Sequence, residues 1–290
     1  MGKAVRMISS DGTFTVMAID SADIVEEARR IHNTSPVVTA ALGRLVTGAS
    51  MMGAVLKGKD DSVTLRINGS GPSGSLIAVA DSKGNVKGYA ENPWVQMELN
   101  SKGKLDVGGA VGKDGTLTVM KDLGLKEPYV GQVPIVSGEI AEDLTSYFAV
   151  SEQIPSVVAL GVLVNKIHRD VDLAGGFIIQ LLPTAEDDTI DKIEECIEKV
   201  EPVTTMLAKG MTPEQICRNA LPSFELELLD EFEPVYRCDC SKQRVENALL
   251  TLGRDELLDM ANDEQTEVSC HFCDKKYRFT PSEIRALAAR

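Results

Sequence analysis

Four cysteines in the last quarter of the chain form two closely spaced pairs and constrain it more than any other feature. One residue separates Cys238 from Cys240, two separate Cys270 from Cys273, and 29 residues lie between the pairs. A tetrahedral Zn²⁺ ion is held in this way, because each tight turn presents two thiolates to one edge of the tetrahedron. We therefore predict one Zn²⁺ ion per chain, with Cys238, Cys240, Cys270 and Cys273 as its ligands.

Basic residues beside the pairs are expected to offset the charge of about −2 that four thiolates and one divalent ion leave. The candidates are Arg237, Lys242, Lys275 and Lys276. His271 could replace a cysteine as ligand, but four sulfurs already complete the coordination shell. We expect His271 to be a surface residue of its turn.

The other two cysteines, Cys196 and Cys217, lie on or beside apolar helix faces and are predicted to be packed core residues. The stretch from Gly108 to Lys113 resembles a phosphate-binding loop but has one residue too few between its glycines. We predict turns between strands there. The sequence identifies no catalytic residue.

Composition excludes several classes of function. The formal net charge is −14 and the isoelectric point is near 4.8, so the average surface repels phosphate and argues against nucleic acid as a partner. No run approaches the roughly 18 uncharged apolar residues of a membrane span. The first residues lack the apolar stretch of a secretory signal. We expect a cytoplasmic protein, in which clustered cysteines are metal ligands or redox centres.

Residues 1–183 mix strand-like and helix-like stretches in an order typical of an α+β domain. A helix is predicted at 21–32, capped by Ser21, and a buried helix at 37–56. Gly43, Gly48 and Gly53 each cost that second helix about 1 kcal/mol against Ala, which indicates that another backbone packs close to it. Strands rich in β-branched residues are predicted at 5–10, 13–20, 62–67, 75–80, 156–165 and 176–183.

Residues 184–235 are acidic and contain several prolines. This composition predicts a helical linker that docks on the preceding domain. A helix from residue 185 to 200 has one apolar face, Thr212 begins another helix, and the alternating residues 224–229 are compatible with a strand. Helices this short are marginal in isolation. We therefore expect the linker to be able to undock.

Residues 236–290 are predicted to form a small zinc-binding domain. Ser241 caps a helix that Gly253 ends, and Thr280 to Glu283 form a capping box that begins the terminal helix. Residues 267–269 and 275–279 flank the second cysteine pair and alternate like a hairpin.

With these residues the chain resembles the 33 kDa chaperonin family of redox-regulated heat-shock holdases. The CxC pair followed by the CxxC pair is the specific mark of that family. The resemblance also rests on Thr39 to Arg44, Leu56 to Gly58, Gly175 to Phe177, and Gln180 to Pro183.

The resemblance implies a function, partners and a redox mechanism. The reduced, zinc-bound form would be inactive, and oxidation would form the disulfides Cys238–Cys240 and Cys270–Cys273, release the metal and activate binding of unfolding client proteins. It also implies a homodimer favoured by oxidation and no enzymatic activity.

Two other functions stay open from the residues alone. The cysteine module could be a zinc-ribbon binding module appended to a regulatory domain, or its cysteine pairs could serve a thiol enzyme. Salt-dependent binding of nucleic acid would favour the first, and turnover of a dithiol substrate would favour the second.

Overall fold

The computed structural model describes residues 2–289, which divide into two compact units between Tyr236 and Arg237. The first unit contains two five-stranded antiparallel sheets with helices packed against them. The second contains a two-stranded hairpin and three short helices. The predicted α+β class is confirmed.

The first sheet has the strand order β10-β1-β2-β9-β8. One edge strand, β8, comes from the middle of the first unit, and the other, β10, comes from its C-terminal end. Every neighbouring pair is antiparallel. Its strands are β1 (Lys3–Ser9), β2 (Phe14–Asp20), β8 (Ser156–Val164), β9 (Val171–Leu181) and β10 (Leu226–Phe232).

The second sheet has the order β5-β4-β3-β6-β7 and is also antiparallel throughout. Its strands are β3 (Ser62–Gly69), β4 (Ser75–Asp81), β5 (Val86–Ala90), β6 (Gly115–Asp122) and β7 (Tyr129–Pro134). The helices that precede the linker segment are α1 (Ala22–His32), α2 (Pro36–Ala54), α3 (Val107–Val111) and α4 (Ala141–Tyr147), and a π-helical turn follows at Phe148–Glu152.

Helix α2 is the centre of the first unit and packs against strands of both sheets. It is long and apolar enough to cross a membrane, but 89% of it is buried inside the protein, as expected for a core helix. Its charged residue, Arg44, is accommodated by Glu139, whose carboxylate accepts a hydrogen bond of 2.5 Å from the guanidinium.

The glycines of α2 allow close packing, but mostly against side chains. A Cβ atom at Gly53 would lie 2.5 Å from the carbonyl oxygen of Asp81, so another backbone approaches there as predicted. At Gly43 and Gly48 the nearest atoms belong to the side chains of Val25 and Leu144 instead. The predicted backbone contact is therefore correct at one of the three glycines.

Two local predictions in the first unit are wrong, one because of a tertiary contact and one because of a local cap. The Ser21 side chain makes no capping hydrogen bond to α1, and its hydroxyl lies 2.7 Å from that of Thr47 in α2. The stretch from Val107 to Val111 is a short helix rather than turns, because Asp106 caps it through the N–H of Gly109.

The linker segment packs on the first sheet. Its helices are α5 (Asp187–Ile197), α6 (Val203–Ala208) and α7 (Pro213–Ala220), and residues 226–232 form the edge strand β10. Thr212 caps α7 as predicted, with Gln215 completing a capping box. Apolar residues of these helices and one face of the sheet form a single core cluster that includes Met7, Phe14, Phe177, Met206 and Ile216.

The second unit consists of α8 (Lys242–Leu249), α9 (Arg254–Met260), β11 (Thr266–Ser269), β12 (Lys276–Phe279) and α10 (Pro281–Ala288). The hairpin and the capping box of Thr280 and Glu283 are as predicted. Gly253 does not end α8, because its φ of −64° is not left-handed and the residue is the N-cap of α9. The core of this unit is small: Leu249, Leu257, Ala261, Tyr277, Phe279, Ile284 and Leu287.

Candidate metal centre

Two different local structures position the cysteine pairs in the second unit. Cys238 and Cys240 precede α8, whose N-cap Ser241 accepts a hydrogen bond from the N–H of Arg244, as predicted. Cys270 follows β11, and its carbonyl oxygen accepts hydrogen bonds from the N–H groups of Cys273 and Asp274. The first pair is thus held by a helix start and the second by a hairpin turn.

The structure brings all four predicted ligands together. Their sulfur atoms lie within 4.8 Å of one another, with 3.7 Å between Cys238 and Cys270 and 3.4 Å between Cys240 and Cys273. Four sulfurs at about 2.3 Å from a tetrahedral zinc ion would lie roughly 3.8 Å apart. Disulfides need about 2.05 Å, and all six cysteines are free thiols. The cluster therefore fits a four-coordinate thiophilic metal ion.

Burial and hydrogen bonds shift the pKa values of the clustered cysteines in different directions. Burial raises the pKa of the Cys238 thiol, which the backbone N–H of Cys240 partly opposes, and burial also raises the pKa of Cys273. At Cys240 burial is outweighed by hydrogen bonds from Tyr277 and from the other cysteines, which lower its pKa to about 7. Cys240 thus loses its proton more readily than Cys238 or Cys273 does.

A hydroxyl that the sequence did not single out as part of the site contacts the cluster. Tyr277 in β12 donates a hydrogen bond of 3.1 Å to the Cys240 sulfur. The alternation of β12, in which Tyr277 and Phe279 are the buried residues, is the sequence signal that could have placed this side chain on the inner face.

Three of the four basic residues expected to offset the charge of the cluster, all of them lysines, contact other groups. The Lys242 ammonium pairs with Glu283 at 2.5 Å, and the Lys276 ammonium pairs with Glu267 at 2.6 Å. The hydrogen bond from Lys242, with those from Thr280, lowers the pKa of Glu283 to about 2. Lys275 lies 5.3 Å from the centre of the Tyr277 ring. These contacts join the lysines to the hairpin and to the terminal helix.

Cys196 and Cys217 lie in the core of the first unit, as predicted, and they belong to neither pair. Cys196 is 3.5 Å from the hydroxyl of Ser223. Burial, assisted by the charge of Glu214, raises the pKa of Cys217 to about 12. Both side chains serve packing.

We expect Cys217 to remain unlabelled when native reduced protein is treated with N-ethylmaleimide at pH 8. A thiol with a pKa of about 12 is ionised at that pH to roughly one part in ten thousand, and the reagent must also reach a fully buried sulfur. Mass spectrometry of peptides after short labelling measures this, with protein in guanidinium chloride as the fully reactive control. Rapid native labelling of Cys217 would contradict the buried placement.

Comparison with known proteins assigns the family. A family model described as Hsp33 protein matches residues 2–280. The chain is 52% identical to the 33 kDa chaperonin of Lachnoclostridium phytofermentans over 99% of its length and 98% of that protein. It is 52% identical to the 33 kDa chaperonin of Agathobacter rectalis, with 98% of each chain covered.

A solved structure agrees with both sequence comparisons. The crystal structure of the 33 kDa chaperonin, a heat shock protein 33 homolog, from Thermotoga maritima superposes with a TM-score of 0.88 at 38% identity, covering 99% of this chain and 97% of that one. Agreement of sequence and fold over nearly the whole length leaves one conclusion: the chain belongs to the Hsp33 family.

Proposed function

We propose that this protein is a molecular chaperone that holds unfolding client proteins and is switched on when its four clustered cysteines are oxidised. The observation that carries the proposal is the convergence of Cys238, Cys240, Cys270 and Cys273 within 4.8 Å in a unit with a small core. Membership in a family whose relatives are named chaperonins supports the chaperone part.

The resting form in this proposal is reduced and carries one Zn²⁺ ion on the four thiolates. The ion would supply cross-linking between two turns that are distant in sequence, and a structural zinc contributes about 10 to 16 kcal/mol of apparent folding free energy. The seven buried apolar residues of the second unit form a core of the size that needs such support. The metal would therefore hold residues 237–289 folded.

Oxidation would replace that long-range link with two local ones. The disulfides Cys238–Cys240 and Cys270–Cys273 close loops of three and four residues, each stabilising by only about 2 kcal/mol. Neither joins the start of α8 to the hairpin turn. Each disulfide removes two electrons from its pair, so two equivalents of hydrogen peroxide would be reduced to water per chain.

The client surface in this proposal is the sheet face beneath α5, α6 and α7. That face and the three helices share one apolar cluster, and each helix has 11 residues or fewer, too short to be stable alone. Strand β10 connects them along the chain to the first cysteine pair. If unfolding of the second unit loosens this segment, Met7, Phe14 and Phe177 become available to apolar client segments.

The proposal divides the chain into functional parts at the boundaries expected from the sequence. Residues 1–183 would carry the client surface, 184–235 would be the releasable cover, and 236–290 the sensor. The protein would act in the cytoplasm as a non-enzymatic holdase. Oxidation would favour a homodimer with a larger apolar surface, while the net charge of −14 disfavours nucleic acid as a partner.

We expect peroxide with mild heat to release one zinc per chain and to convert the protein into a form that suppresses aggregation of a denatured client. Zinc is followed with a colorimetric chelator and client aggregation by light scattering in the same time course. Reduced, zinc-loaded protein is the control and should give no protection. Equal protection by the reduced form would refute the switch, and release without protection would refute the chaperone assignment.

A further inference from the structure

We propose that the Tyr277 hydroxyl is a positioning group that slows oxidation of Cys240 and so sets the oxidant threshold of the cluster. The inference rests on the proposed function and deepens it, because it concerns which sulfur resists the oxidant. Its basis is the hydrogen bond of 3.1 Å that the phenol donates to the Cys240 sulfur.

The fold holds the phenol firmly in that place. Tyr277 is directly opposite Val268 in the hairpin, and its side chain is 7% exposed within the core of the second unit. The hydroxyl of a buried tyrosine needs a partner, and the sulfur supplies it.

A cation improves the phenol as a donor. The Lys275 ammonium lies 5.3 Å from the centre of the Tyr277 ring, where a positive charge interacts favourably with the ring face. Withdrawal of electron density from the ring makes the hydroxyl hydrogen more positive. The hydrogen bond to a negatively charged sulfur is therefore of the stronger, charge-assisted kind.

This donor differs in kind from those at two of the other sulfurs. The groups that lower the pKa of Cys238 and Cys273 include the backbone N–H groups of Cys240 and Lys275, and such groups cannot be removed without changing the backbone. Tyr277 uses a side chain, so a single-atom deletion tests its role. The strength of the hydrogen bond to the sulfur also depends on which side chain occupies position 277. A side-chain donor can therefore set the oxidant threshold.

The chemistry explains why the hydrogen bond slows oxidation. In the first step the thiolate lone pair attacks one oxygen of hydrogen peroxide, the O–O bond breaks, and hydroxide leaves, which gives a sulfenic acid. The neighbouring thiolate then attacks that sulfur, an S–S bond forms, and hydroxide leaves again. A hydrogen bond to the sulfur stabilises the lone pair that attacks the peroxide in the first step. Cys240 is therefore a weaker nucleophile.

The test is the variant Tyr277→Phe, which keeps the ring and deletes the hydroxyl. Reduced, zinc-loaded protein is treated with iodoacetamide or peroxide at 25 °C, and modification of each cysteine is followed by mass spectrometry. We expect the rate at Cys240 to rise about three- to tenfold, and the rates at Cys270 and Cys273 to change less than about twofold. Zinc release by peroxide should accelerate in parallel.

Tyr236→Phe is the matched control. Tyr236 lies two residues before Cys238, but its hydroxyl donates to the carbonyl oxygen of Gly88 at 2.9 Å rather than to a sulfur. We expect this variant to label its four clustered cysteines at the wild-type rates. A uniform rise at all four in Tyr277→Phe would indicate loosening of the unit and would overturn the proposal, as would an unchanged rate at Cys240.

A second substitution covers the case in which Tyr277→Phe does not fold. 3-Fluorotyrosine at position 277 keeps the hydroxyl and makes it a stronger donor, so Cys240 should react more slowly than in the wild type, and a faster reaction would refute the role. Zinc content is measured in every sample. A wild-type protein without zinc would refute the proposed function, whereas a zinc-loaded variant with unchanged Cys240 reactivity would refute this inference alone.

Discussion

Cys238→Ser is expected to lose its zinc and to unfold residues 237–289, while the core of residues 2–183 around α2 stays folded. A structural zinc contributes about 10 to 16 kcal/mol, whereas a core as small as that of the second unit supplies roughly 3 to 5 kcal/mol. Loss of one thiolate from a four-sulfur shell therefore removes more stabilisation than the unit has in reserve. Residues 2–183 have their own large core around α2, and that core does not depend on the metal.

Hydrogen exchange followed by mass spectrometry measures the unfolding of residues 237–289 in Cys238→Ser directly. Amides of α8, β12 and α10 should exchange within seconds in the variant, and those of α2 should keep their protection. Cys196→Ser is the matched control, since it changes a cysteine outside the cluster and keeps a hydrogen-bonding atom near Ser223. Full protection of α10 in a metal-free Cys238→Ser protein would contradict the dependence of the unit on zinc.

Asp143→Ala is expected to destabilise the first unit by about 3 to 5 kcal/mol, which lowers Tm by roughly 10 °C for a unit of this size. Asp143 is fully buried. One carboxylate oxygen accepts hydrogen bonds from the N–H groups of Val136 and Ser137 at 2.8 and 3.0 Å, and the other accepts from Ile140 at 3.0 Å. Alanine leaves these N–H groups without their acceptor, and the N–H of Ile140 is buried.

The same carboxylate holds an unusual backbone conformation. Ile140 has a φ of +66°, which costs a β-branched residue of order 1 to 3 kcal/mol, and it is fully buried before α4. Asp106→Ala is the matched control, because Asp106 accepts one N–H hydrogen bond, from Gly109, and its loss should cost about 1 kcal/mol. Thermal unfolding of both variants measures the two losses of stability. Equal losses would show that Asp143 has no special role.

The cysteine cluster could be predicted from the sequence, whereas the role of Asp143 could not. Cys238, Cys240, Cys270 and Cys273 were identifiable as one cluster because two closely spaced cysteine pairs are a local pattern that is typical of metal sites. Asp143 was not identifiable, because it resembles many other acidic residues at helix starts until the buried loop is seen around it. The same holds for Tyr277, whose alternation in β12 predicts burial but not its partner.

Long-range packing also decides the partners of other side chains. Ser21 has the right residue type and position for a helix cap, but the hydroxyl of Thr47, 26 residues away, is a better partner in the buried core. Lys242 and Lys276 are adjacent to cysteines in sequence but pair with Glu283 and Glu267 instead. In each case a side chain had a choice of partners, and long-range packing decided between them.

The sequence by itself determined the secondary structure of the strong strands, the buried character of α2, the α+β class and the four cysteines that cluster. Those features depend on periodicity, capping residues and spacing over a few positions, which are local properties of the chain. Only the tertiary structure decided that residues 187–232 cover and extend the first sheet, that Asp143 organises a buried loop, and that Tyr277 contacts Cys240. These contacts join residues far apart in the chain, and their energies depend on burial and distance, which no local pattern encodes.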